Sequence, residues 1–345
     1  MQKRVSVKDI AQKLNISLST VHKALTGKGG ISEQRRKQVI KAAQEMGYVV
    51  NSVAQTLARK DINIGILMPS KWQDYFAGMK AGIEEEIENL QKYKVRGMFY
   101  YLSSDFSKED AEKALEWIKK QSIEVLIYCP SIYSLHEEFI SAIKKSRLPI
   151  FMAGDSFEEM NSISDVVTDA ALSGKIAADF LRCILADKIN AAVFTGSLRV
   201  KPHKGKVDSF IKRVEGFGGK VCCVYETEDD YEKTSEYMKN IFSDNINAIY
   251  VTTATSAPVC KYIDENGLSD KIALICTDLF DELKYYMKKN VAKATIYQNQ
   301  ERLGSVAVKV AYEYLVKKNS YGNEDAQIEK TVHIRPSLYL LADIE

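Results

Sequence analysis

The chain has 345 residues, 46% of them hydrophobic and 27% charged, a composition that fits two or three globular domains and excludes extended disorder. No run approaches the roughly 20 apolar residues of a membrane span, and the opening MQKRVSVKDIAQKL lacks the apolar stretch of a secretory leader, so a cytoplasmic protein with no membrane partner is expected. The overall charge of +2 conceals twelve lysines and arginines against three acidic residues in the first sixty positions, a balance of +9 that leaves −7 for the remainder. A basic head on an acidic body suits a polyanionic partner, because neutralising phosphates drives association with nucleic acid.

In the head, Ser6 followed by Asp9 is a capping pattern, and Ile10, Ala11 and Leu14 share one face of a first short helix. After a break at Asn15 and Ile16, Ser17 caps a second helix, LSTVHKALTG, whose Val21, Ala24 and Leu25 face inward. Gly29 and Gly30 form a loop, Ser32 caps a third helix that runs through Met46, and Val39, Ile40, Ala43 and Met46 complete the small core. Two helices joined by so tight a turn place the second in the DNA major groove. Its outward residues are Leu18, Ser19 and Lys23. Lysine donates to guanine, leucine meets a thymine methyl, and serine bonds either base type. Ser17, Thr20 and His22 are positioned for phosphates.

The segment VKDIAQKLNISLSTVHKALTGKGGISEQRRKQVIKAAQEMGYVVNSVAQTLA resembles the DNA-binding head of the lac repressor and purine repressor family. The likeness rests on the D-I-A element at Asp9 to Ala11, S-x-S-T-V at Ser17 to Val21, the run from Ser32 to Arg36, and Gly47–Tyr48. The resemblance implies a head over residues 1–50, in which Ser6 also lies, and a hinge helix with linker over 51–60. In that hinge Asn51 is the cap, Val53 and Ala54 face a partner's hinge, and Leu57 is the apolar wedge that enters the minor groove and unstacks a base step. Many members carry Ser-Arg where this chain has His22-Lys23, so no operator sequence is carried over.

From Ile62 onward strand-like runs alternate with amphipathic stretches: INIGILM, KVRGMFYYL and EVLIYCP, then NAAVFTG, KVCCVYE, INAIYVTT and KIALICT, each followed by a helical segment. That rhythm predicts an α/β protein with two parallel sheets, hence two lobes and a cleft at the carboxyl ends of the strands. After the first strand, Trp72, Tyr75 and Phe76 offer flat faces for a sugar ring or fill the core. Ser131, Asp155 and Asp278 follow later strands, where their oxygens accept hydroxyl hydrogens or cap helices. Six scattered cysteines without metal-site spacing read as reduced core thiols.

The same family resemblance extends over this body and implies a periplasmic-binding-protein-like domain over 61–345. Its first lobe is expected at about 61–166 and 295–326, its second at about 167–294 and 327–345, with three crossing segments. Asp169, Gly174 and Ala178 match the D-x4-G-x3-A element that opens the second lobe, Asp278 matches a cleft aspartate, and Gln298 sits in the return segment. The family's R-x-x-G-F element is here KVDSF with Lys206 in the arginine's place and Arg199 nearby, and the NDxxA element is replaced by Ala254 to Ala257. Lysine lacks the arginine's fork of donors, so the ligand differs from the family's pattern at this point.

No nucleophile with its base, no metal cluster and no phosphate-binding glycine loop stands in the sequence. The four histidines have no HxH or HExxH spacing, and PSKWQDYF after the first strand has no glycine. A non-enzymatic regulator without cofactor or metal is therefore expected, partnered by double-stranded operator DNA, by a small effector of carbohydrate type and by a second copy of itself. A sugar-binding sensor without gated repression and an architectural DNA-bending protein are the alternatives. The final LADIE carries no leucine heptad, which favours a dimer over a tetramer.

Overall fold

The computed structural model describes residues 5–25, 30–46, 48, 61–70, 73–103, 108–130, 137–145, 147–156, 158–186, 188–241, 245–321 and 328–344. The hinge residues Asn51, Val53, Ala54 and Leu57, and the cleft candidates Trp72 and Ser131, lie outside them.

The head consists of α1 (Val7–Leu14), α2 (Leu18–Leu25) and α3 (Glu33–Glu45). A reciprocal capping box starts α1: the Asp9 backbone N–H donates to the Ser6 hydroxyl (3.4 Å) and Asp9 accepts the Ser6 N–H (2.7 Å). Asn15 ends it in the left-handed conformation at φ 50°, which asparagine tolerates better than most side chains. The chain thus turns at once into α2, where the Thr20 N–H donates to Ser17 Oγ at 3.1 Å. Ile10, Ala11, Val21, Ala24, Leu25, Val39 and Ala43 form the buried centre. Ile40 is only half-buried and Ala42 is buried instead, because positions 39, 42, 43 and 46 share one face of α3 while 40 falls beside it.

The first lobe is built on β1 (Ile62–Pro69), α4 (Gln73–Leu90), β2 (Val95–Leu102), α5 (Lys108–Lys120), β3 (Val125–Tyr128), α6 (Glu137–Lys145), β4 (Ile150–Gly154) and β5 (Ser164–Thr168). The second comprises α7 (Ala170–Ile184), β6 (Asn190–Thr195), α8 (Lys201–Gly216), β7 (Lys220–Glu226), α9 (Tyr231–Asn240), β8 (Ala248–Val251), α10 (Ala257–Glu265), β9 (Ala273–Thr277), α11 (Asp281–Lys288) and β10 (Ala292–Tyr297). The chain then returns through α12 (Gln300–Tyr321) and β11 (Thr331–Ile334) to β12 (Ser337–Tyr339).

Two six-stranded sheets result, ordered β11-β5-β4-β3-β1-β2 and β12-β10-β9-β8-β6-β7. The described pairings are parallel except β10 with β12. Each sheet is covered on both faces, as parallel strands require. In the first, Ile62, Ile64, Ile66 and Met68 turn to α4 and α12, while Leu67 and Leu126 turn to α5 and α6. In the second, Ala191 and Val193 pack with α7 and α8, and Ala192 and Phe194 join the opposite core.

Sheet membership moves the expected lobe boundaries. Strand β10 pairs with β9 (Thr295 opposite Cys276) and so belongs to the second lobe, whereas β11 pairs with β5 (Val332 opposite Val166) and belongs to the first. The crossings therefore fall near 168–170, 297–300 and 334–337 rather than at 166/167, 294/295 and 326/327. They are tied to one another: the Asp169 N–H donates to the Ile334 carbonyl (2.9 Å), the Thr168 hydroxyl to the Gln298 carbonyl (3.2 Å), and the Asn299 amide to Ser337 Oγ (3.2 Å).

Glycines set how closely the helices dock. A Cβ on Gly82 would stand 1.9 Å from the Glu301 carbonyl oxygen, and one on Gly304 would stand 2.1 Å from that of Met79, so α4 and α12 touch backbone to backbone. Gly174 on α7 does the same for α8: its Cβ would meet the Lys206 carbonyl oxygen at 2.2 Å. The glycine after the capping Asp169 thus fixes the position of the helix that carries Lys206.

Candidate functional site

Two surfaces carry chemistry. On α2 the buried Val21, Ala24 and Leu25 leave the opposite side to Leu18, Ser19, His22 and Lys23, all exposed. Leu18 is 48% exposed, an apolar side chain held in water by a rigid helix. Ser6, Ser17 and Thr20 make the caps described above, and the Ser17 and Thr20 hydroxyls also bond each other at 2.8 Å.

The second surface is a cavity open to solvent at the carboxyl ends of the strands, where ligands bind in parallel α/β sheets. The first lobe supplies Tyr75 and Phe76 from the start of α4, Pro130 after β3, and Asp155 after β4. Across from them stand Pro202, His203 and Lys206 of α8, Asp229 after β7, Thr253 to Thr255 after β8, Asp278 after β9, and Gln298 in a crossing segment. A further hollow shares Tyr75, Ala254 and Asp278 and continues along Tyr231, Phe280 and Tyr297. Tyr75 and Phe76 meet edge to face, their centroids 5.1 Å apart, so one ring presents its edge where the other presents its face.

A hydrogen-bonded relay organises the charges. Lys206 is 2% exposed, and its Nζ donates to the Thr252 carbonyl and to Gln298 Oε1, both at 3.0 Å. Gln298 Nε2 donates in turn to both oxygens of Asp278 (2.9 and 3.0 Å), and Gln300 Nε2 donates to Oδ1 at 2.6 Å. The glutamine is thus the bridge between ammonium and carboxylate. Asp278 and Asp229 both have left-handed backbone, φ 67° and 57°, a conformation aspartate accepts more readily than most residues and one that recurs at functional sites.

Burial dominates the proton affinities. It pushes the carboxyls of Asp155 and Asp278 up to about 6, against the downward pull of Lys206, and their mutual repulsion and that of Asp229 add to the rise. Asp229 is raised for the same first reason. Burial lowers the Lys206 ammonium, with Asp278, Asp155 and Asp229 opposing the fall. His203 is lowered to about 3 by burial and then by Lys206. Its Nδ1 accepts the Ser197 N–H at 3.1 Å, so the neutral ring keeps its proton on Nε2.

Of the sequence candidates, Tyr75, Phe76, Asp155, Lys206, Asp278 and Gln298 come together around this cavity. Arg199 does not: it is exposed, precedes α8 and is absent from the wall. His203, Asp229, Thr253 and Gln300 were not anticipated, whereas Ala254 and Thr255 stand where the family carries its NDxxA element. The available signals were the spacing of His203 three residues before Lys206 on one helix face, and the TEDD sequence directly after a strand.

Comparison with known proteins places both surfaces in a family. Residues 64–319 match the periplasmic binding protein domain, and residues 6–51 match the lacI family of bacterial regulatory proteins. The chain belongs to the lacI-type regulators built on that domain. It is 24% identical over 344 residues to catabolite control protein A of Priestia megaterium, covering 96% of this chain and 99% of that protein. It is likewise 24% identical over 346 residues to the HTH-type transcriptional repressor PurR of Proteus mirabilis, covering 96% and 95%. In fold it resembles a sugar-binding protein of a Bacillus halodurans sugar ABC transporter, with a TM-score of 0.71 at 15% identity, over 82% of this chain and 99% of the other. The chain is a DNA-binding transcription regulator of this family. No described helix is long and apolar enough to cross a membrane.

Proposed function

We propose that the protein is an effector-gated cytoplasmic repressor that acts as a homodimer on a two-fold symmetric operator. The observation that carries this is the union in one chain of an exposed Leu18–Ser19–Lys23 face on a helix-turn-helix with a cleft walled by both lobes. Each head takes one half-site, since a two-fold site calls for a two-fold protein. Leu18, Ser19 and Lys23 meet base edges, while Ser6, Ser17, Thr20 and His22 meet phosphates. The hinge residues Asn51, Val53, Ala54 and Leu57 enter the central minor groove, with Leu57 as the wedge.

The effector is a sugar or sugar-derived molecule. Support comes from aromatic faces opposite carboxylates in the cleft and from the likeness in fold to a sugar-binding protein. A ligand bridging Asp155 and Tyr75 on one side and Lys206 and Asp229 on the other favours the closed arrangement of the lobes and so biases the hinges. Coupling of this kind is reciprocal and typically changes affinity by about 5- to 150-fold. Effector binding releases the DNA, as for an inducer.

The test selects bound duplexes from a random-sequence pool and footprints the winners. A pseudo-palindromic footprint with half-sites about one helical turn apart supports the reading; capture of duplexes without any shared sequence overturns it. A catalytic role has no support in the named machinery of the relatives, which are regulators.

A further inference from the structure

Among the described residues, the cavity wall holds three carboxylates, Asp155, Asp229 and Asp278, against one ammonium, Lys206. His203 contributes no charge, because its ring is held neutral. The three acids are not equivalent. Asp278 is satisfied by Gln298 and Gln300 and is linked to Lys206 through Gln298, while Lys206 also draws on Asp155 and Asp229.

Asp155 and Asp229 remain. Asp229 Oδ1 is buried and makes no hydrogen bond. A hydrogen bond from the neighbouring Thr253 hydroxyl holds the carboxyl down in proton affinity, and the same hydroxyl meets that of Thr255 at 2.9 Å. Asp155 lines the same cavity from the other lobe. The two acids are close enough to repel each other. A buried acceptor without a partner is destabilising, and here one ammonium serves three carboxylates. Among the described residues the cleft therefore holds more carboxylates than ammonium groups, with a buried unpartnered oxygen on Asp229 and a second acid, Asp155, on the opposite wall.

A hydroxyl supplies one proton and no charge to such a pair. A protonated amine supplies three donors and cancels one of the two charges. We infer that the cleft selects a ligand bearing an ammonium group, seated between Asp155 and Asp229, with its carbon frame against Tyr75 and Phe76. On the effector reading above, on which this rests, that class is an amino sugar rather than a neutral one. The ammonium would also connect the lobes directly, since each carboxylate belongs to a different lobe.

The experiment uses the full chain and paired probes at pH 7 in low salt: glucosamine, galactosamine and mannosamine against glucose, galactose and mannose, with ethanolamine and putrescine as amines lacking a ring. Binding is read by calorimetry and by thermal shift. The expected result is an amino member that binds at least about tenfold more tightly than its hydroxyl counterpart. The isosteric Asp229→Asn, which keeps the left-handed backbone accessible, should reduce that preference to about twofold or less. Should the variant fail to fold, the wild-type preference should itself shrink in high salt or as the pH falls toward 5, because the carboxylates take up protons.

Equal or tighter binding of the neutral sugars overturns the ammonium inference and leaves the sugar-effector reading in place. Binding of ring-free amines alone supports ammonium recognition and overturns the sugar reading. Silence of every probe up to about 50 mM overturns the inference, while the selection of an operator remains the separate test of the regulator.

Discussion

His203 offers a stability experiment whose sign follows from its surroundings. The ring lies in the first turn of α8, accepts the Ser197 N–H through Nδ1, and sits near the Lys206 ammonium. Burial, then Lys206, lowers its proton affinity from the ordinary 6.5 to about 3. Above pH 6.5 the ring is neutral both folded and unfolded, so the full stability is present. As the pH falls through 6.5 the unfolded chain takes up a proton that the folded one refuses, and stability is lost until about pH 3. At 1.36 kcal/mol for each unit, the loss at pH 4.5 is about 3 kcal/mol relative to pH 7. Asp155 and Asp278 act in the opposite sense: their raised affinities make the folded state lose stability as pH rises from 3.8 toward 6. The two slopes offset each other in the native protein. His203→Asn keeps an acceptor for Ser197 and removes only the histidine's slope. Urea titrations of both proteins at pH 7 and pH 4.5 should show the variant gaining about 3 kcal/mol relative to the native chain on acidification. An unchanged difference between the two pH values would refute the claim that His203 is buried neutral.

Gly82→Ala drives a methyl into the Glu301 carbonyl at 1.9 Å, so α4 and α12 must separate; a loss of roughly 1 to 3 kcal/mol is expected in thermal or urea unfolding, and a neutral result would mean that the crossing yields without cost. Ser6→Ala removes the hydroxyl of the α1 capping box and should cost about 1 kcal/mol, read as a lower melting temperature of the head. Lys23→Ala should cost roughly 1 to 3 kcal/mol on the selected operator and relax preference at one base pair; a uniform loss over all sequences would make Lys23 a phosphate contact.

The head was legible because its determinants are local. Ser6, Asp9, Ser17 and Ser32 mark helix starts by side-chain chemistry, and the apolar spacing of Ile10, Ala11, Val21 and Ala24 needs only the helical period. Ala42 takes the place expected for Ile40 because helical phase outweighs hydrophobicity here: the face shared with Val39 and Ala43 includes 42, not 40. Two covered parallel sheets were equally plain in the alternation of apolar runs and helices. The lobe boundaries were not, because nothing local separates the last residues of β10 from the crossing that follows. Its allegiance is decided by pairing with Cys276 and Ser337, contacts distant in sequence.

The cleft divides along the same line. Asp278 was accessible because it follows a strand, Gln298 because it lies in the return segment of the family pattern, and Lys206 because it occupies a position where that pattern carries a charge. Arg199 was misplaced through one turn of geometry. Helix α8 begins at Lys201, so Pro202, His203 and Lys206 project together on one face while Arg199, before the helix, leaves the wall. His203 and Asp229 could not be recognised from residue type, since an ordinary histidine is a switch near neutrality and an ordinary loop aspartate is a cap. Only the depth of the pocket and the Ser197 N–H turn one into a fixed neutral donor, and only burial leaves the other with an unpartnered oxygen. The same burial that raises Asp155 and Asp229 also makes a cation between them effective, because a charge pair shielded from water is attenuated far less than one on the surface. Salt should therefore weaken operator binding steeply, through its many exposed phosphate contacts, while reducing the cleft's amine preference more gently.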